Sequence, residues 1–192
     1  DAIKENIRLV GEMLDAVKPA TVWDLGANTG RFTRLASERG AFTVAWDIDP
    51  SCVEANYRQV SRGRERNLMP LLLDLTNPSP PLGWANAERD SVAARGAAGM
   101  VLALGLIHHL AIANNVPLPS VASYLAGLGK TVVIEFVPKE DSQVRKLLSS
   151  REDIFDAYHV AGFEAAFRSC FEVERVASIP GSQRTLYLMK RK

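Results

Sequence analysis

Apolar positions recur along the chain with two periods. Residues 2–17 place Ile3, Ile7, Val10 and Leu14 on one face of a helix, which Pro19 ends. After that, short apolar runs alternate with helical stretches. Residues 21–25 predict a first strand, 29–38 a helix with Gly40 as its stop signal, and 42–46 a second strand. Asp49-Pro50 opens the next helix, with proline near its first position, where the missing N–H costs nothing. That helix carries Cys52, Val53, Ala55 and Tyr57. Residues 68–73 predict a third strand. The turn formers of 77–83 predict a loop, and 84–94 a helix. An almost wholly apolar fourth strand covers 99–104, a helix 118–128 and a fifth strand 130–136. Helices over 142–149 and 160–170 follow. The chain closes with strands over 171–178 and 185–190, joined through Ile179-Pro180-Gly181-Ser182-Gln183, a hairpin signal with glycine in the turn.

This order predicts an α/β fold. Strands that read as continuous apolar runs are buried on both faces, and their alternation with helices implies a parallel, doubly wound, Rossmann-like sheet. The terminal hairpin adds antiparallel strands to it. Neither repeats nor an interdomain linker interrupt the pattern, so residues 1–192 are expected to form one domain, with 1–18 as its N-terminal helix. The sequence begins at Asp1 rather than Met, and the expectation is that it belongs to a longer chain.

Charge narrows the function classes. The 192 residues hold 23 Lys and Arg against 22 Asp and Glu, a net charge of +1, which supplies no bulk attraction to nucleic acid or to an anionic membrane. Arg58, Arg62, Arg64 and Arg66 lie close together, and the plainer reading of them is a solvated helix end and loop. The two cysteines, Cys52 and Cys170, are far apart and form no C-x-x-C pair, which argues against a zinc site or a disulfide framework and for a reduced, cytoplasmic protein. No apolar run approaches a membrane span, and no secretory signal is visible.

Three strand ends carry candidate chemistry. The first runs into Asp24-Leu25-Gly26-Ala27-Asn28-Thr29-Gly30, whose glycines permit close approach of backbone to a ligand at the crevice of an open α/β sheet. A tight strand-to-helix turn would account for the same two glycines. The second ends in Trp46-Asp47-Ile48-Asp49-Pro50. Asp47, about 20 residues past the loop, suits a ribose, because a carboxylate accepts hydrogen bonds from vicinal hydroxyls. Asp49 suits an N-cap. The third ends in Leu73-Asp74-Leu75, where a carboxylate could accept from an adenine amino group between apolar neighbours, although alone Asp74 also suits a turn.

Together these segments resemble the class I S-adenosylmethionine-dependent methyltransferases over nearly the whole chain. Asp24 to Gly30 looks like that family's first motif, Ala45 to Pro50 like the second, and Leu72 to Leu75 like the third. The run Met100-Val101-Leu102-Ala103-Leu104-Gly105-Leu106-Ile107-His108-His109-Leu110 is similar to the fourth strand and its following loop. The resemblance implies a seven-stranded sheet with a reversed last strand. It also implies S-adenosylmethionine as cofactor, S-adenosylhomocysteine as product, and Gly26 and its neighbours against the amino-acid part. The cofactor-binding candidates are Asp24, Gly26, Ala27, Asn28, Gly30, Asp47, Ile48, Asp74, Leu75 and Leu104. Asn28 stands where many members have a second glycine, a variant that also occurs in the family. The runs Ile107-His108-His109-Leu110 and Glu135-Phe136-Val137-Pro138 are similar to those of bacterial methyltransferase-like proteins, some of them nodulation-related.

Methyl transfer from a sulfonium is an in-line displacement, and it needs a general base only where the nucleophile carries a proton. His108 and His109 are the catalytic candidates; the same pair would also suit loop orientation or capping. No third ligand at helpful spacing supports a metal site. The chain lacks an Asn-Pro-Pro-Tyr-like tetrapeptide, an Asp in the fourth strand for a Lys-Asp-Lys-Glu set, and a Pro-Cys nucleophile. Those absences disfavour nucleic acid as acceptor and favour a small molecule or a protein side chain. The segments 83–89 and 135–139 could shape an acceptor site, and each also fits packing plus solvated charge. Two other readings stand beside an active enzyme: a non-catalytic cofactor-binding module of a larger protein, and a nicotinamide-dependent dehydrogenase, which an all-parallel sheet would favour.

Overall fold

The computed structural model describes residues 2–192. Seven strands, β1 (Thr21–Leu25), β2 (Phe42–Asp47), β3 (Leu68–Leu72), β4 (Ala98–Ala103), β5 (Gly129–Phe136), β6 (Phe171–Ser178) and β7 (Thr185–Arg191), form one sheet in the order β3-β2-β1-β4-β5-β7-β6. The first five are parallel, and β7 runs antiparallel to both of its neighbours. The expected α/β sheet with a reversed last strand is therefore present. An all-parallel sheet, which would have favoured the dehydrogenase reading, is not.

Six helices cover the sheet: α1 (Ala2–Val17), α2 (Arg31–Ser37), α3 (Pro50–Gly63), α4 (Leu118–Leu128), α5 (Ser142–Leu148) and α6 (Val160–Arg168). Alternation along the strands sorts the core into two layers. Met100, Leu102 and Val133 pack with Leu9, Val10 and Met13 of α1 and Ala36 of α2. Val101, Ala103, Val132 and Ile134 face the other way, onto Val121, Ala122 and Leu125 of α4 and Phe163 and Phe167 of α6. This two-sided burial explains why the central strands read as unbroken apolar runs.

Two expectations need correction. The buried stripe of α1 runs through Asn6, Leu9, Val10, Met13 and Leu14, whereas Ile3 is half exposed. A polar residue thus lies inside the packed face. The helix predicted over 84–94 does not form. Gly83, Ala85 and Asn86 all have positive φ, Leu82 bridges to Arg89, and Trp84 projects outward at 85% exposure. Of residues 84–94 only Val92 is buried, so the segment has no apolar stripe by which packing could hold a helix. In the loop after β4, His109–Ala113 is a π-helical turn, with Asn114 Nδ2 donating to the His109 carbonyl at 2.8 Å. Elsewhere, the helix start signal holds. Asp49 caps α3, its side chain accepting from the Ser51 amide, with Pro50 at the first helical position. No helix among the described residues is long and apolar enough to cross a membrane.

Candidate active site

Parallel register brings the candidate strand ends to one edge. Leu25 pairs with Trp46, and Asp47 with Leu72. The order β2-β1-β4 places the switch in strand order beside β1, the place where open α/β sheets bind ligands. The loop after β1 docks onto the end of β2: the amides of Gly26 and Ala27 both donate to the Trp46 carbonyl, at 2.8 and 2.9 Å. Arg34 braces it from below, donating to the Thr29 and Gly30 carbonyls while pairing with Glu65 at 3.0 Å.

A cleft of about 370 Å³ opens between these ends, within the range of roughly 300–1,000 Å³ usual for small-molecule sites. Six of the predicted cofactor residues line it: Gly26, Asn28, Asp47, Ile48, Asp74 and Leu75. His109 lines it too. Leu73, Thr76, Gly105, Leu106, Leu110 and Asn114 complete the wall; Leu73 is the other apolar neighbour of Asp74, Gly105, Leu106 and Leu110 belong to the run after the fourth strand without having been singled out, and nothing in the sequence had pointed to Thr76 or Asn114. Leu106 and Leu110 are one helical turn apart, and that spacing could have flagged them had the π-helical turn been foreseen. Two carboxylates and no lysine or arginine line this cleft.

Three further candidates, Asp24, Ala27 and Leu104, line a second cleft of about 270 Å³, whose wall also includes Gly26 and Asn28. The two hollows share the loop. Gly30 and His108 line neither. Gly30 has φ +82°, and a side chain there would come within 2.6 Å of Asn56 Nδ2, so this glycine admits the close passage of α3. His108 is only 2% exposed and packs against His109, ring centroids 4.2 Å apart and planes tilted by 40°. A larger hollow of about 750 Å³ lies along α3 around Arg58 and Arg62, but residues of one helix and its end supply its whole wall, so it encloses nothing.

The carboxylates differ in state. Asp47 Oδ2 accepts from the Asn28 amide at 2.7 Å and Oδ1 from the Asp49 amide at 2.9 Å. Asp74 Oδ1 accepts from the amide and hydroxyl of Thr76, at 2.8 and 2.7 Å, and these bonds hold its pKa below the ordinary value. Asp74 therefore forms a turn and lines the cleft at once. Asp24 is buried and accepts from Thr33 Oγ1 at 2.5 Å. Burial pushes its pKa up to about 7, with the charge of Asp47 adding to the shift. Burial, with His109 and Arg184 nearby, lowers His108 to about 4; burial also lowers His109, against the pull of Asp47. Both imidazoles are thus biased toward the neutral form. Among the described residues, no three metal-ligating side chains come together.

The end of β5 adds a polar group. Glu135, 2% exposed, accepts from Asn6 Nδ2 at 3.2 Å and lies 3.7 Å from Arg184 Nη1. Arg184 in turn grips Asp141 with Nε and Nη2, at 2.7 and 3.1 Å. The sequence had suggested 135–139 only as a candidate acceptor segment.

The fold is the Rossmann-like fold of S-adenosylmethionine-dependent methyltransferases. Magnesium protoporphyrin IX methyltransferase from Synechocystis PCC 6803, solved with bound S-adenosylhomocysteine, matches with a TM-score of 0.70 at 17% identity, covering 100% of this chain and 84% of that one. The N-methyltransferase NodS from Bradyrhizobium japonicum WM9 matches with a TM-score of 0.71 at 8% identity, covering 99% and 96%. In sequence, the chain is 44% identical over 183 residues to nodulation protein NoeA of Rhizobium meliloti (strain 1021). That alignment takes in 95% of this chain and 38% of NoeA, so the chain spans well under half the length of this relative. No protein-family model matches the chain.

Proposed function

We propose that residues 1–192 form an S-adenosylmethionine-dependent methyltransferase domain, with the cofactor in the cleft between the ends of β1, β2, β3 and β4. One observation carries this reading: Asp47 and Asp74, from successive strand ends, line the same cleft as the Gly26 loop, with no basic side chain among them. The donor set fits the cofactor. Asp47 can take ribose hydroxyls, Asp74 an adenine amino group, and Ile48, Leu75 and Leu110 the faces of the base. Gly26, at φ +73° with Leu106 3.3 Å from where its Cβ would stand, fits a loop that packs tightly against the segment after β4. A sulfonium is cationic and suits an anionic cleft, whereas a dinucleotide needs its phosphates neutralised. When bound, S-adenosylmethionine supplies an activated methyl group. The chain's residues orient it, and His109, at the cleft wall, is the candidate proton acceptor; His108 behind it holds the ring. The acceptor is a small molecule or a protein side chain, handled by a cytoplasmic enzyme.

Calorimetry with S-adenosylmethionine, S-adenosylhomocysteine and NAD tests the reading. Heat is expected with the first two and none with NAD; no heat with either sulfur compound would sink it. Methyl-labelled cofactor incubated with a cell extract then separates an enzyme, which transfers label, from a non-catalytic binding module, which does not.

A further inference from the structure

We propose that Arg151 is a positioning residue of the cleft: its guanidinium holds the π-helical turn His109–Ala113 in the shape that brings His109, Leu110 and Asn114 to the cofactor. This rests on the methyl-transfer reading of the cleft, which those three residues line. Arg151 itself lines no part of it.

The turn cannot close its own carbonyl end. The His109 carbonyl accepts from the amide and the side chain of Asn114, at 3.1 and 2.8 Å, and the Leu110 carbonyl from the Val116 amide at 3.0 Å. Four and five residues on from Ile112 stand Val116, whose amide is spent, and Pro117, which has no N–H; four on from Ala113 is Pro117 again. Arg151 fills the gap from 39 residues away in sequence. Its Nη1 donates to the Ile112 carbonyl and, at 3.4 Å, to the Ala113 carbonyl, and its Nη2 donates to Asn115 Oδ1 at 2.6 Å. Asn115 has φ +56°, a left-handed conformation uncommon outside glycine, so the same fork also fixes the exit of the chain from the turn.

Arg151 is itself held. Its guanidinium carbon lies 4.9 Å from the Phe155 ring centroid. Two ties join the segment that carries it to the end of β5. Lys139 Nζ donates to both oxygens of Asp153, at 2.8 and 2.7 Å, and the Tyr158 hydroxyl donates to the Val137 carbonyl at 2.7 Å. The guanidinium therefore passes the fixed position of β5 on to the turn after β4. Without it, the carbonyl of Ile112, a fully buried residue, has no donor, and a rare helical form loses its outside support.

The test compares the unsubstituted chain with Arg151→Ala and Arg151→Lys. The readouts are calorimetric affinity for S-adenosylhomocysteine, hydrogen exchange of the Asn114 and Val116 amides, and titration of the His109 C2–H resonance. Arg151→Ala is expected to keep its melting temperature and to bind roughly tenfold more weakly, the loss that follows when the competent turn falls to about a tenth of the population. The two amides should lose protection while those of β1 and β4 keep theirs. The His109 midpoint, lowered by burial, should rise towards its ordinary value. Arg151→Lys keeps the charge without the planar fork and should fall between the two; if Arg151→Ala does not fold, Arg151→Lys carries the same test. Unchanged affinity, unchanged exchange at Asn114 and Val116, or a loss of protection shared by the whole sheet would each overturn the proposal. Failure of the unsubstituted chain to bind S-adenosylhomocysteine strikes the methyl-transfer reading instead, and the exchange and histidine readouts then still decide whether Arg151 holds the turn.

Discussion

The Asp47 carboxylate accepts a hydrogen bond from the Asn28 amide at 2.7 Å across 19 residues of sequence, tying the end of β2 to the loop after β1. That bond holds a non-glycine residue at φ +52°. Asp47 therefore shapes the loop as well as offering oxygen to a ligand. Asp47→Ala is expected to weaken S-adenosylhomocysteine binding by roughly 1.5–3 kcal/mol, the scale of hydrogen bonds to a charged group. Calorimetry checks this, and an unchanged affinity would remove Asp47 from the site.

Asp24 supplies a pH prediction. Its pKa is raised by burial from 3.8 to about 7, so between those values the folded chain holds a proton that the unfolded chain has lost. Its contribution to stability is complete below the unfolded value and is lost as pH rises through the folded one, at about 1.4 kcal/mol per pH unit within the window. Asp24→Asn stays neutral throughout. Urea melts should show the variant gaining on the unsubstituted chain as pH rises across this window, with little difference below it. A constant difference would contradict the assignment.

The histidine pair titrates in the opposite sense. Burial lowers His108 from 6.5 to about 4, so between those values the unfolded chain binds the extra proton, and stability falls as pH drops through that window. Proton NMR of the imidazole C2–H resonances should show His108 neutral down to about pH 4 and His109 titrating below its ordinary 6.5. A His108 midpoint near 6.5 would mean that the ring is solvated and free to face the cleft.

Phe163 of α6 sits among Phe136, Phe167 and Tyr187, with ring centroids 5.0, 4.5 and 5.0 Å away, and is fully buried. Phe163→Ala is expected to cost about 3–5 kcal/mol in denaturant unfolding, from lost burial plus the cavity left behind. A loss below 1 kcal/mol, roughly that of an ordinary surface change, would mean the cluster repacks.

Local chemistry made the sheet and about half of the candidate cleft's lining legible. Continuous apolar runs mark strands covered on both faces, and a period of 3.6 marks the helices that cover them. Asp49-Pro50 is a start signal that works through its own neighbours. Asp47 and Asp74 could be read because strand ends in a parallel sheet come out on one edge whatever the loops do. The failures lie where long-range packing decides. The Trp84 segment has helix-compatible residues but buries only Val92, too little to hold a helix in place. Gly30 lines neither cleft, and its contact with Asn56 of α3 exists only in the folded chain. The two clefts share a loop whose residues, read in a row, give no sign of which side each faces. Asn6 and Glu135 are 129 residues apart, and nothing local to either announces the other. Periodicity reports which face of an element is buried; only the assembled sheet decides which polar groups are buried together, since desolvation and hydrogen bonding depend on neighbours from distant segments.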